Sequence, residues 1–148
     1  MANLNMPLDR WFEVKVDRFN EKVKRVADEV ATEGEAMVKG KILTSGTGRT
    51  WARTRYKRGK SRKGSFNGRV WTGDMIDAVE NEVVTAPNVI IASFGWINTF
   101  KPYFKQQEGG FTHSKTGNEI VGMFAMGDAA DHIQNLVKQK IGRVLHEF

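Results

Sequence analysis

At 148 residues, 40% apolar and without cysteine, the chain is sized for one domain with its own core, and disulfide frameworks and thiolate metal sites are excluded. Its mean hydropathy of -0.46 is low for a compact monomer and favours a long, thin shape or one completed by neighbouring subunits; no apolar run approaches the roughly 20 residues of a membrane span, and Met1-Ala2-Asn3-Leu4-Asn5 is no signal peptide, so a soluble, intracellularly made protein without a membrane partner is expected. The net charge of +6 is concentrated: residues 1–48 carry eight basic and eight acidic side chains, 49–73 nine basic and none acidic, and 74–148 six basic and nine acidic.

Residues 7–43 read as one long helix. Pro7 suits a first helical position. Phe12, Val16, Phe19, Val23, Val26 and Val30 recur at spacings of three and four, and the stripe continues through Gly34, Met37, Val38 and Ile42. Glu21 with Arg25 and Glu35 with Lys39 are favourable i,i+4 pairs. Gly34 and Gly40 weaken the second half, and a glycine near the stripe admits close approach of another backbone. The stripe has two readings, a seam between subunits or a helix packed on its own sheet.

Thr44-Ser45-Gly46-Thr47-Gly48 stops the helix. Residues 44–70 then form a basic arm or loop too polar to offset its own ordering entropy. Its cations are Arg49, Arg53, Arg55, Lys57, Arg58, Lys60, Arg62 and Lys63, with Arg69 beyond them. Trp51, Tyr56, Phe66 and Trp71 are interleaved. That composition fits an acidic protein surface, a nucleic acid whose phosphates it neutralises and whose bases it stacks on, or a plain solvated loop. A short strand near 51–57 is compatible with the alternation there.

Residues 78–84 and 89–97 are rich in β-branched side chains and flank Thr85-Ala86-Pro87-Asn88, which predicts an antiparallel hairpin. Residues 98–122 read as irregular, with one helical turn near 103–107. A last amphipathic helix is predicted over 128–146, capped by Asp128. Its stripe is Ile133, Leu136, Val137, Ile141, Val144 and Leu145, and Lys138, Lys140 and Arg143 suit its C-terminal end. The fold class is α+β: a long N-terminal helix, a small antiparallel sheet and a C-terminal helix packed on it.

Catalytic constellations are weak. His113, His132 and His146 have no cysteine partner, and His132 and His146 stand 14 residues apart. Asp128 and His132 have one-face helical spacing, but two ligands make a poor metal site. Gly46-Thr47-Gly48 follows a helix and lacks the lysine of a phosphate-binding loop. Asp74, Asp77, Glu80 and Glu82 with Glu108 would be a nuclease cluster only if they converged. Asp74, Glu80 and Glu82 instead share a parity that marks a solvated strand side. A non-enzymatic chain without metal or cofactor is expected.

Two stretches carry a resemblance. The first is Arg69-Val70-Trp71-Thr72-Gly73-Asp74-Met75-Ile76-Asp77-Ala78-Val79. The second runs from Tyr103 through Gln107-Glu108-Gly109-Gly110-Phe111 to Met123-Phe124-Ala125-Met126-Gly127-Asp128-Ala129. In this order and between two helices they resemble the tail-completion, or head–tail joining, proteins of long-tailed bacteriophages. The likeness covers about 69–146, and the first helix by position. Gly109 replaces an aromatic usual in that family, 122–129 replaces a proline-flanked element, and the arm is longer than the usual linker.

The resemblance implies a structural virion protein of the neck, forming a ring of six copies around the DNA channel. Thr72-Gly73 would be the turn that launches the sheet, with Met75, Ile76 and Val79 entering its core, and Gly109-Gly110 a second structural turn. Neighbouring connector and tail proteins would be partners, with genomic DNA in the channel a further contact. The alternatives are a tail terminator or stopper in an adjacent layer, and a nucleic-acid-binding module that uses the arm.

Overall fold

The computed structural model describes residues 8–45, 73–112, 117 and 119–148. In chain order these form α1 (Leu8–Thr44), a short α2 (Asp74–Asp77), β1 (Glu80–Ala86), β2 (Val89–Gly95), α3 (Pro102–Gly109), β3 (Gly110–Thr112), β4 (Glu119–Val121) and α4 (Ala125–His146). The α+β class and the packing of the terminal helix agree with the sequence reading.

α1 runs 37 residues, and its stripe divides in two. Val26, Ala27, Val30, Ala31, Gly34, Val38 and Ile42 are buried against β2 and α4. Phe12 and Val16 on the first turns are each 54% exposed. The helix therefore packs on its own sheet over its later turns and leaves its first turns uncovered. Of the two expected i,i+4 pairs, Glu35–Lys39 forms, while Glu21–Arg25 is not an ion pair among the described residues.

β1 and β2 pair antiparallel with Ala86 opposite Val89, so the turn is only Pro87-Asn88. It is two residues shorter than the four-residue spacer predicted from Thr85-Ala86-Pro87-Asn88. Strand alternation gives the hairpin two faces. Ala92 and Phe94 pack towards α1 and α4, and the Asn81 amide hydrogen-bonds the Glu35 carboxylate on α1. The opposite face carries Val84 across from Ile91, and Glu82 across from Ser93.

The stretch 98–122 is more regular than predicted. Pro102 opens an eight-residue helix, α3, rather than a single turn. Gly110, at φ 88°, turns the chain directly into β3, which pairs with β4. The two arms cross closely: a Cβ on Gly122 would lie 2.6 Å from the carbonyl oxygen of Glu108. Three-residue strands carry too little alternation to be recognised from sequence.

α4 begins at Ala125, three residues before the predicted start, and Asp128 is not its cap. The residue before the helix is Phe124, at φ 50°. α4 lies antiparallel along α1, tied by Lys41–Asp128 at 2.9 Å, His132–Glu33 at 2.9 Å and Lys140–Glu29 at 2.7 Å. Lys22 and Glu147 close the far end. The core has two parts. One gathers Val38, Ile42, Met75, Val79, Phe104, Met123 and Ala129; the other gathers Val26, Val30, Ile133 and Val144. Phe94 packs against both.

Candidate assembly surface

The cations Arg49, Arg53, Arg55, Lys57, Arg58, Lys60, Arg62 and Lys63 lie outside the described residues, as do Thr72 and His113. The described chain stops at Ser45 before this segment and resumes at Gly73 after it. Gly73 is buried at φ 95°, a left-handed conformation that a side chain would strain. Directly after it, α2 inserts Met75 into the core, and Val79 follows, 1% exposed. The indole N–H of Trp96 donates to the Met75 carbonyl at 2.9 Å, which ties the turn to the end of β2. Ile76 is half-buried against the same cluster. Met75 and Ile76 thus enter the core from a helical turn rather than from a strand.

The second stretch is organised by Glu108. Its carboxylate accepts hydrogen bonds from the backbone N–H groups of Ala125 at 3.0 Å, Met126 at 2.8 Å and Gly127 at 3.2 Å. These are orphan donors of the first turn of α4, and a carboxylate there also opposes the positive end of the helix dipole. The backbone assists: Met123 N–H donates to Gln107 O and Phe124 N–H to Glu108 O. Gly109 ends α3 with open space beside it, and Gly110 makes the turn. Sequence reasoning placed Glu108 in a hypothetical acidic cluster and missed the cap. No local signal points to it, because β3 and β4 lie between Glu108 and the start of α4.

The acidic residues do not converge. Asp74 sits on α2, not on a strand face, and pairs with Lys101 at 2.8 Å. Glu80 accepts from Asn98 at 2.6 Å, and Glu108 is held at α4. Asp128 and His132 each turn to a different residue of α1, Lys41 and Glu33, instead of to each other. His146 ends α4. Among the described residues, no group of three or more His, Asp or Glu is placed to hold a metal ion, and no helix is long and apolar enough to cross a membrane.

Local electrostatics follow these contacts. The Lys39 ammonium, then the Asn81 amide, hold the Glu35 carboxyl below its ordinary value, against a smaller opposing effect of burial. The Asp74 carboxylate raises Lys101 through their hydrogen bond. Burial pushes the Tyr103 hydroxyl up. Glu35 joins α1 to β1 through Asn81, and Lys101 joins the start of α3 to α2 through Asp74.

The surface features are of another kind. The outer face of the hairpin exposes Val84, Val89 and Ile91, the last two at 50%. An open groove of about 990 Å³ separates the first half of α1 from the hairpin tip, where Val89 borders both the groove and the outer face. Val16, Phe19 and Val23 line its helix side; Thr85, Pro87, Val89 and Ile90 line its hairpin side. Asp17 and Glu21 stand on its helix rim together with Lys24. Among the described residues the hairpin forms a two-stranded sheet, so each strand there has one edge without a partner strand. Periodicity predicted these apolar residues but not which of them stay uncovered.

No family model matches the chain, and neither a curated protein nor a solved structure matches it.

Proposed function

We propose that this chain is a structural assembly protein of a bacteriophage neck, acting as a ring subunit between the filled head and the tail. The observation that carries the reading is the uncovered apolar surface. Leu8, Phe12 and Val16 on the first turns of α1, and Val84, Val89 and Ile91 on the hairpin, are exposed on a chain with a well-formed core elsewhere. A heterologous interface that closes into a ring buries two such different patches at once. The motif-bearing stretches support the same reading, because their groups are spent on architecture: Gly73 on a turn, Met75 and Val79 on the core, Glu108 on the start of α4.

In this role the chain works as a non-enzymatic spacer. The reading assigns the basic segment 49–63 to contacts with neighbouring subunits, with the connector and tail proteins above and below. Copies labelled in tailed virions produced from the encoding genome test this. A closed ring at the head–tail junction is expected; label confined to the capsid shell or tail tip, or no label in the virion, overturns it.

The nine cations of 49–73 and the aromatics among them favour one second reading, a nucleic-acid-binding module. It requires binding of free DNA or RNA with an affinity that falls steeply with salt. Binding that is absent at physiological salt removes it.

A further inference from the structure

The groove between α1 and the hairpin tip has features that match a segment of this chain's own sequence. Its floor is apolar, formed by Val16, Phe19 and Val23 on one side and Val89 and Ile90 on the other. Its helix rim carries Asp17 and Glu21, and only Lys24 offsets them. Asp9 and Glu13 continue the same four-residue spacing towards the start of α1, and all four carboxylates are exposed. Residues 51–57, Trp-Ala-Arg-Thr-Arg-Tyr-Lys, offer the complement: two aromatic anchors with three cations between and beside them. Aromatic anchors in an apolar cleft, with charge matched at the rim, are the usual composition of a specific contact.

We propose that the groove receives residues 51–57 of a second copy of this chain. Chain length separates this from self-docking. The middle of the groove, at Asn20, lies about seven helical turns before Ser45, roughly 37 Å along α1 at 1.5 Å per residue. Ten residues of fully extended chain, from Ser45 to Arg55, span at most about 36 Å. The near end of the groove, at Lys24, lies roughly 32 Å from Ser45 along α1, within reach of Arg55 to Lys57, but Trp51, six residues on, spans at most about 22 Å, so in its own subunit this aromatic anchor stops short of the groove. A neighbouring subunit carries no such restriction. Each copy then has one donor segment and one acceptor groove, which is the head-to-tail arrangement that builds rings.

The proposal deepens the assembly reading and rests on it only in requiring self-association. It is tested on the full chain by charge exchange. Asp17→Lys with Glu21→Lys reverses the rim, and Arg53→Glu, Arg55→Glu with Lys57→Glu reverses the segment. Each set alone should weaken self-association at least tenfold in sedimentation or light scattering, with an unchanged melting curve. The chain carrying both sets should regain it. No loss in either set, no recovery in the combined chain, or a wild-type chain that stays monomeric over the accessible concentration range overturns the proposal.

The lack of native cysteine allows a second measurement on Asn20→Cys combined with Arg55→Cys. Disulfide-linked multimers are expected on a non-reducing gel; purely intrachain linkage, or none, overturns the second-copy assignment. Rescue by the exchanged charges without label in virions would defeat the neck reading and leave this contact standing. A ring in virions without rescue would do the reverse.

Discussion

Gly34 sits face-on to the ring of Phe94: a Cβ at this position would lie 2.4 Å from Cδ1 and 2.5 Å from Cγ of that ring. The glycine therefore admits a side chain from β2, where the sequence had suggested a backbone. Phe94 in turn packs against both parts of the core, so the missing Cβ is what lets α1 lie flat on the hairpin. Gly34→Ala should destabilise the fold by about 1–2 kcal/mol, since overpacking costs about 1–3 kcal/mol and better helix propensity returns up to about 1. Gly40 has nothing within 4 Å of a built Cβ, so Gly40→Ala should instead stabilise by about 0.5–1 kcal/mol. Urea unfolding of the two variants checks the opposite signs.

Glu108→Ala should lower stability by about 1–2 kcal/mol, the range for loss of a good helix cap. It strands three N–H donors at the start of α4. Glu108→Gln keeps one carbonyl acceptor and should lie between the variant and wild type. Hydrogen exchange at Ala125, Met126 and Gly127 should speed up in Glu108→Ala while the last turns of α4 keep their protection. Equal protection in the first turn would show that the cap contributes nothing.

Glu35 links α1 to β1 through Lys39 and Asn81, and these contacts hold its carboxyl below the ordinary 4.5. A folded value below the unfolded one means stability that is fully present above pH 4.5 and lost as pH falls through the folded value. Glu35→Gln should therefore flatten the acid side of a plot of urea midpoint against pH and leave its neutral part nearly parallel to wild type. Superimposable acid limbs would exclude the contribution.

Leu8 and Phe12 are exposed on the first turns of α1, at 70% and 54%. Replacing both with Ser should change stability by no more than about 0.5 kcal/mol each, as for surface positions generally. If these turns are part of a subunit interface, the same variant should lose self-association. A large fall in melting temperature would instead place them in the monomer's own core.

The long elements were legible because their signals are local. Val26, Val30, Val38 and Ile42 repeat at helical spacing, and Val83, Val84, Val89 and Ile91 bracket a Pro-Asn turn, so α1 and the β1–β2 hairpin follow from near neighbours in the chain. α4 was legible along its stripe but not at its start. Its cap is Glu108, which precedes Ala125 by a helix terminus and a whole hairpin, whereas Asp128 had the right residue type beside the helix. The second hairpin escaped notice because three-residue strands hold less than two periods of alternation.

The sequence by itself determined the class of fold, the run of α1, the pairing of β1 with β2 and the concentration of positive charge in 49–73, because each depends on residue type within a few positions. Tertiary structure alone decided that Asp128 and His132 answer to Lys41 and Glu33, that Glu108 serves α4, that Gly34 makes room for Phe94, and that Val16, Val23 and Val89 border an open groove. Those outcomes depend on which surfaces meet across long stretches of chain, and a one-dimensional pattern states that a residue is apolar or charged without stating what arrives opposite it.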